Sequence, residues 1–277
     1  MSCVPWTLPQ ASFDVVSCNI TAKEMKDTQK KMIERHLRDH KMKLDIFECE
    51  IASLRKVLPR NQINICKEII DTCALKGQMM IFIGDAPGYY ASILLKNDTT
   101  TKWLAVNAKT DPLYFKVLRN HENGMQWYQN DKFCDEVKLF HEKADLVISN
   151  TCYNPSICTD LECDIMKSIK NEILFVLKMQ KIQGNYLFGF SKPESYSEFR
   201  ILYLICCLYE YVSILTPKST ESTELYVFAQ SRKDMCKNVM KELNNVLEND
   251  IDIEMPDLWI SETLTALDQI LFARMQS

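Results

Sequence analysis

The most constraining feature of the sequence is a glycine turn that follows a short apolar run. Residues Met80 to Gly88 read Met-Ile-Phe-Ile-Gly-Asp-Ala-Pro-Gly, and a helix-compatible stretch, Tyr89 to Lys96, comes directly after them. Glycine readily takes positive φ and lets the backbone approach a ligand, and the chain has only six glycines in 277 residues. The segment therefore predicts a strand, a tight turn and a helix of the kind that holds a nucleotide-like cofactor.

The spacing of the two glycines leaves a second interpretation open. Gly84 and Gly88 form Gly-x-x-x-Gly, which is neither the dinucleotide-binding fingerprint nor a phosphate loop ending in Gly-Lys-Ser/Thr. The same residues are compatible with a plain strand-to-helix turn that binds nothing.

Composition limits the class of protein. With 47% hydrophobic and 25% charged residues, the 277-residue chain can form a full core, and we expect one α/β domain with terminal additions. No apolar stretch approaches the roughly 20 residues of a membrane span, and no basic region followed by an apolar one begins the chain. The twelve cysteines are scattered, many inside apolar runs, which is typical of reduced thiols. We therefore expect a cytoplasmic protein without membrane contact.

The two ends of the chain differ in charge. Residues 21–60 contain eleven Lys/Arg against seven Asp/Glu, whereas residues 233–277 contain four against nine. The basic end could face phosphates, although two solvated helical faces would give the same pattern.

Helical extensions are predicted on both sides of the core. Thr21-Ala-Lys-Glu24 has the form of a capping box, and apolar residues then recur at three- and four-residue steps. They are Met25, Met32, Ile33, Leu37, Leu44, Phe47, Ile51 and Leu54. We place the N-terminal extension at residues 1–57, the core domain at 58–231 and a helical tail at 232–277. The apolar stripe of the tail consists of Leu264, Leu267, Ile270 and Leu271.

The core alternates between strand-like and helical patterns. A helix is predicted at about Asn61–Leu75, and further helices at Glu162–Gln180 and Tyr196–Tyr209, which implies a mostly parallel sheet. Only eight residues separate the last two strands, which is too short for a crossover helix, so they should form an antiparallel hairpin. The predicted strands are Met79–Gly84, Lys102–Asn107, Val137–Phe140, Asp145–Ser149, Asn185–Phe190, Tyr211–Leu215 and Glu224–Ala229. A seven-stranded sheet with an antiparallel last strand is the pattern of Rossmann-like class I methyltransferases, which use S-adenosylmethionine.

Within this pattern, the segment Leu58–Gln230 resembles the FtsJ-type RNA ribose 2′-O-methyltransferases, and among them the poxvirus cap 2′-O-methyltransferases. The Ile83-Gly-Asp-Ala-Pro-Gly88 turn is similar to their Ala-Pro-Gly cofactor loop, and Lys102–Asn107 to their second strand. Ala144–Asn150 is similar to their fourth strand, and Lys218–Val227 to their closing segment. The resemblance implies an S-adenosylmethionine site made by Gly84, Asp85, Ala86, Pro87, Gly88 and Asn107, with capped RNA as substrate and a viral source in the host cytoplasm.

The family's chemistry needs a Lys-Asp-Lys-Glu tetrad around the ribose 2′-hydroxyl, because a hydroxyl is a poor nucleophile at neutral pH. The first lysine falls on Lys67 and the glutamate on Glu224. The aspartate falls on Asn150 and the central lysine on Gly189, three residues before Lys192, which could substitute for it. Asparagine keeps the size of aspartate but not its charge, and glycine removes the ammonium. Asn107 also replaces the acidic residue that binds the cofactor ribose in such folds.

Two hypotheses follow from these departures. The chain is either a catalytically impaired relative that serves as an RNA-binding or protein-binding subunit of an RNA-processing, capping or replication complex, or an active methyltransferase whose catalytic set is Lys67, Asn150, Lys192 and Glu224. We favour the first. No metal site is predicted, because His36 and His40 have no ligand partner at motif spacing and the sequence contains no Cys-x-x-Cys.

Overall fold

The structure is a computed structural model that describes residues 4–12, 27–39, 62–85, 88–96, 98, 100–107, 124–128, 142–150, 161–190, 195–217, 225–249, 251 and 253–275. These residues form one eight-stranded sheet with helices on both faces. The strands are β1 (Val4–Thr7), β2 (Met79–Ile83), β3 (Lys102–Asn107), β4 (Gly124–Tyr128), β5 (Ala144–Ser149), β6 (Gln180–Phe190), β7 (Tyr209–Thr216) and β8 (Leu225–Arg232). The helices are α1 (27–39), α2 (Gln62–Cys73), α3 (Tyr89–Leu94), α4 (Leu161–Met179), α5 (Tyr196–Leu208), α6 (Lys237–Asn249) and α7 (Asp257–Met275).

The strands lie in the order β1-β7-β8-β6-β5-β2-β3-β4. Strands β4, β3, β2, β5 and β6 pair in parallel, and β8 is antiparallel to both β6 and β7. The predicted hairpin is therefore confirmed, with Leu215 of β7 beside Tyr226 of β8. The chain leaves β2 toward β3 and β4 on one side and returns to β5 on the other, so the strand order reverses beside β2.

Two hydrophobic cores cover the two faces of the sheet, because alternate residues of each strand point to opposite sides. Helices α2 and α3 cover Met80 and Phe82 of β2, and we call this the α2–α3 face. Helices α1, α4, α5, α6 and α7 contribute to the core on the other face, where Ile81 is buried, and we call this the α4–α7 face. Helix α5 begins with a full capping box, in which Ser195 and Glu198 satisfy each other's backbone N–H groups.

Where the structure describes them, the apolar stripes of the extension and the tail pack within the protein. Ile33 and Leu37 of α1 are buried in the same core as Leu267 of α7, and the side chain of Gln29 donates hydrogen bonds to Met255 O at 3.2 Å and Asp257 Oδ1 at 2.8 Å. The predicted stripe was wrong at one position, because Met32 is 48% exposed. The polar side chain of Gln29 is only 8% exposed and faces the core, because its amide nitrogen is hydrogen bonded. The rest of the predicted extension helix, with the capping box at Thr21, lies outside the described residues.

Two strands of the sheet were not predicted. β1 pairs antiparallel with β7 and adds an eighth strand at that edge, where Pro5 cannot donate a ladder hydrogen bond outward. β4 pairs with β3 at the opposite edge. The segment that we predicted for that edge, Val137–Phe140, lies outside the described residues.

Candidate functional site

The carboxyl ends of β2, β3, β5 and β6 meet at one edge of the sheet, which is where open α/β sheets bind ligands when the strand order reverses. Gly84 ends β2 with φ of 60°, and Gly88 begins α3 with φ of 99°, so both glycines take the left-handed conformation that the sequence predicted. The sheet ladder continues into this edge, because Gly84 N donates to Val106 O at 2.8 Å and Asn150 N donates to Ile83 O at 2.9 Å. The glycine turn thus lies between the ends of β3 and β5.

Asp85 is fully buried inside the glycine turn. Its carboxylate accepts hydrogen bonds from the backbone N–H of Tyr90 at 3.1 Å and of Ala91 at 3.0 Å, which are free donors in the first turn of α3. Burial raises the pKa of this carboxyl to about 7, although the backbone hydrogen bonds lower it. Asp85 therefore fixes α3 onto the end of β2, and both of its oxygens are engaged by the protein rather than free for a cofactor.

Asn150 lies directly after β5 at the same edge. Its Oδ1 atom is buried and accepts no hydrogen bond from any residue that the structure describes. Ser149 pairs with Phe188, so Asn150 follows the strand in register with Gly189 of β6. Asn150 and Gly189, which we predicted at two tetrad positions, are therefore neighbours, and they present a neutral amide and a bare backbone.

Gly189 is paired with one member of a buried cluster of phenol and thiol groups. A side chain at position 189 would lie on the α2–α3 face with Leu187, and Gly189 pairs across the ladder with Tyr226, which is 1% exposed. Tyr226 and Cys66 lie close to Tyr90, and burial, followed by these two groups and Asp85, raises the pKa of Tyr90 well above its ordinary value. The site therefore has aromatic packing where the resembled family has an ammonium.

The structure describes only some of the remaining predicted site residues. Lys67 lies on α2 and is exposed, whereas its neighbour Cys66 points into the core. Asn107 is the last residue of β3, beside Gly84, and its side chain is outside the description. Ala86, Pro87, Lys192 and Glu224 lie outside the described residues, so the complete tetrad stays a prediction.

Other candidate groups have structural roles. Asp145 accepts hydrogen bonds from Gln78 N at 3.0 Å, Met79 N at 2.9 Å and Lys181 Nζ at 2.7 Å, so it anchors the starts of three strands at the far edge from the site. His36 contacts Asp268 at 3.2 Å, and His40 lies outside the description. Within the described ranges, no three His, Cys, Asp or Glu side chains are grouped as metal ligands. None of the helices in that part of the chain is long and apolar enough to span a membrane.

Tyr226 and Cys66 were not predicted as parts of the site. The available signals were the period-two alternation of β8, which puts Tyr226 and Phe228 on one face, and the i, i+3 spacing of Cys66 and Ile69 on α2. Nothing in the sequence states which strand lies beside Gly189, so the pairing with Tyr226 could not be predicted.

The strand order, the antiparallel β8 and the glycine turn at the reversal point define a Rossmann-like class I methyltransferase fold. No protein-family model matches the sequence, and no curated protein matches it significantly.

Several solved structures are similar to parts of this chain. A Streptococcus thermophilus protein described as a candidate hemolysin aligns with a TM-score of 0.46 and 11% identity over 70% of this chain and 75% of its own. Human methyltransferase-like protein 13 in complex with SAH aligns with a TM-score of 0.42 and 10% identity over 65% and 85% of the two chains. Aeropyrum pernix fibrillarin with bound S-adenosyl-L-methionine gives a TM-score of 0.41 and 14% identity over 56% and 66%. At these values, the similarities identify no family, substrate or cofactor for this chain.

Proposed function

We propose that this chain is an S-adenosylmethionine-binding relative of the FtsJ-type cap 2′-O-methyltransferases in which methyl transfer to a ribose hydroxyl is absent or very weak. Its role is then that of an RNA-binding or protein-binding subunit in an RNA-processing, capping or replication complex. The observation that supports this most is the pair Asn150 and Gly189, which lie side by side at the ends of β5 and β6.

Cofactor binding is supported by the backbone of the glycine turn. Gly84 and Gly88 both have positive φ at the reversal point of the sheet, which lets the chain approach a ligand closely. The backbone at Gly84 and Gly88 would approach the methionine end of the cofactor, and Asn107 would contact the ribose hydroxyls. S-adenosylmethionine supplies a methyl group on a sulfonium. An amide binds a ribose diol more weakly than a carboxylate does, so we expect weaker binding than in a site with an acidic residue there.

Loss of hydroxyl chemistry is supported by the residues around Gly189. A hydroxyl needs a nearby base or an ammonium that steers its proton. Asn150 has no charge, and the residue paired with Gly189 on the neighbouring strand is the buried Tyr226. Burial raises the pKa of the nearby Tyr90 hydroxyl, which therefore stays protonated at neutral pH and does not act as a base.

The test has two stages that use the same protein. Isothermal titration with S-adenosylmethionine should give a binding signal, and Gly84→Val should remove it, because a β-branched residue is strained at φ of 60°. Capped RNA incubated with the cofactor should then yield no 2′-O-methylated nucleoside by mass spectrometry.

Each stage can fail separately. If the titration gives no signal, cofactor binding is contradicted, and only the RNA-binding or protein-binding role remains proposed. Robust methyl transfer that disappears in Lys192→Ala would contradict the loss of catalysis and establish the rearranged set of Lys67, Lys192 and Glu224.

A further inference from the structure

Helix α1 carries a row of cations on its solvent side. Ile33, Leu37 and Gln29 face the core, and Lys31, Arg35 and Arg38 lie on the opposite side of the helix, at i, i+4 and i+7. All three are exposed, and none of them makes an ion pair or hydrogen bond with a described residue. We call these three side chains the α1 cation row.

The α1 cation row is held in place by the rest of the protein. Besides the buried Ile33 and Leu37, Gln29 is hydrogen bonded to residues at the start of α7 and His36 contacts Asp268 of α7. The backbone of α1 is thus fixed before any ligand arrives, so an anion that binds the row does not have to order this helix.

Helix α1 packs against the start of α5. The Nζ atom of Lys30, next to the row, lies 5.8 Å from the centroid of the Tyr196 ring, and Tyr196 is the first residue of α5. The row thus stands on the α4–α7 side of the sheet.

The chemistry of the row fits a polyanion. Its three cations span seven residues, or about 10 Å of helix, which matches about three phosphates of one nucleic-acid strand. The chain as a whole has a net charge of −4. Of the acidic residues of α1, Asp27 and Asp39 stand at the two ends of the described helix, and half-buried Glu34 lies one turn from Lys31 and Arg38. Met32, at 48% exposed, is the one large apolar side chain exposed on the described helix, so a partner that meets this surface meets mainly charge.

We infer that the α1 cation row is a docking surface for the phosphate backbone of single-stranded RNA. The choice of RNA over another polyanion rests on the proposed function. The docking itself does not depend on cofactor binding.

The experiment measures binding of a fluorescein-labelled 20-nucleotide RNA by fluorescence anisotropy between 50 and 300 mM NaCl, without cofactor. The test variant is Lys31→Gln/Arg35→Gln/Arg38→Gln. Its matched control is Lys76→Gln/Lys237→Gln/Lys241→Gln, which removes three other exposed cations and changes the net charge equally. A single-stranded DNA of the same sequence forms a second arm, and thermal unfolding checks that both variants fold.

Each phosphate contact on a single strand contributes about −0.7 to the slope of log K against log salt, so loss of the row should reduce the slope by about 2. At 0.1 M salt this corresponds to about 100-fold weaker binding, while the control variant should bind within about threefold of the wild type. RNA should bind at least as tightly as DNA.

Three results would overturn the inference: equal affinity and slope for the wild type and the row variant, an equal loss in the control variant, or tenfold tighter binding of DNA than of RNA. None of them changes the cofactor titration, so failure of this inference is distinguishable from failure of the proposed function.

Discussion

The clearest physical test of the site concerns the buried carboxyl of Asp85. Two effects compete there, because burial favours the neutral acid, whereas the N–H groups of Tyr90 and Ala91 favour the carboxylate. Burial wins, and the pKa rises from 3.8 to about 7. The folded protein therefore holds this proton more tightly than the unfolded chain does.

The raised pKa fixes how stability depends on pH. Between about pH 4 and pH 7 the folded state carries the proton and the unfolded state does not, so stability falls as pH rises through this window. A tenfold difference in proton affinity is worth about 1.4 kcal/mol. The free energy of unfolding should therefore fall by about 4 kcal/mol in total from pH 4 to pH 8. Since whole domains are stable by only about 5–15 kcal/mol, the effect should be large.

The assay is urea unfolding of the wild type and Asp85→Asn at one-unit steps from pH 4 to pH 8. Asparagine does not titrate, so the difference in unfolding free energy between the two proteins isolates Asp85. The unfolding free energy of the wild type minus that of Asp85→Asn should decrease by about 1.4 kcal/mol per pH unit up to pH 7 and then level off. A difference that stays constant or grows with pH would show that the backbone hydrogen bonds outweigh burial.

Asp145→Asn provides a control of opposite sign. Burial raises the pKa of Asp145, but the hydrogen bonds from Lys181, Met79 and Gln78 outweigh it and lower the pKa below its ordinary value. The stability that Asp145 contributes is therefore present above pH 4 and is lost as pH falls, the reverse of Asp85.

Three further predictions concern packing and backbone geometry. Ala74 follows α2 with φ of 48°, so Ala74→Gly should raise the unfolding free energy by about 1 kcal/mol in urea, and a decrease would contradict the strain. Ile33→Ala should lower it by about 2–4 kcal/mol, whereas Met32→Ala, at an exposed position of the same helix, should stay within about 0.5 kcal/mol; equal losses would show that α1 does not pack as described. Gly189→Lys should cost about 1–3 kcal/mol through crowding against Tyr226 and restore no methyl transfer, with a smaller cost in a Tyr226→Ala background; a lysine tolerated without cost would mean that the position is open.

The sequence was sufficient for the parts of the fold that local patterns specify. Strand β3 was predicted with its observed bounds, Lys102–Asn107, and the short connection after β7 correctly implied an antiparallel hairpin. β1 was missed because four residues that include Pro5 carry no strand pattern of their own and form a strand only by pairing with β7. β4 was missed for a similar reason, since it begins at Gly124 and occupies a sheet edge.

The candidate site was predictable only where a backbone conformation demands a residue type. Gly84 and Gly88 were identified because few other residues take positive φ, and both do so in the structure. The engagement of Asp85 with α3 depends on burial of its carboxyl, and the position of Tyr226 beside Gly189 depends on strand pairing between distant segments. Residue spacing encodes neither.

The pairing of β1 with β7 also has a consequence for synthesis of the protein on the ribosome. Trp259 Nε1 donates to Pro9 O across 250 residues of chain, and Val4 lies beside Thr216 in the sheet. At about 5–20 residues per second, the β1 segment waits on the order of 10–50 s before its partners leave the ribosome. During this interval its strand edges are open to pairing with other nascent chains, and Pro5, which lacks an N–H, limits that pairing. Strand β1 is thus paired only late in synthesis. Conditions that slow translation should therefore increase aggregation of Pro5→Val more than that of the wild type.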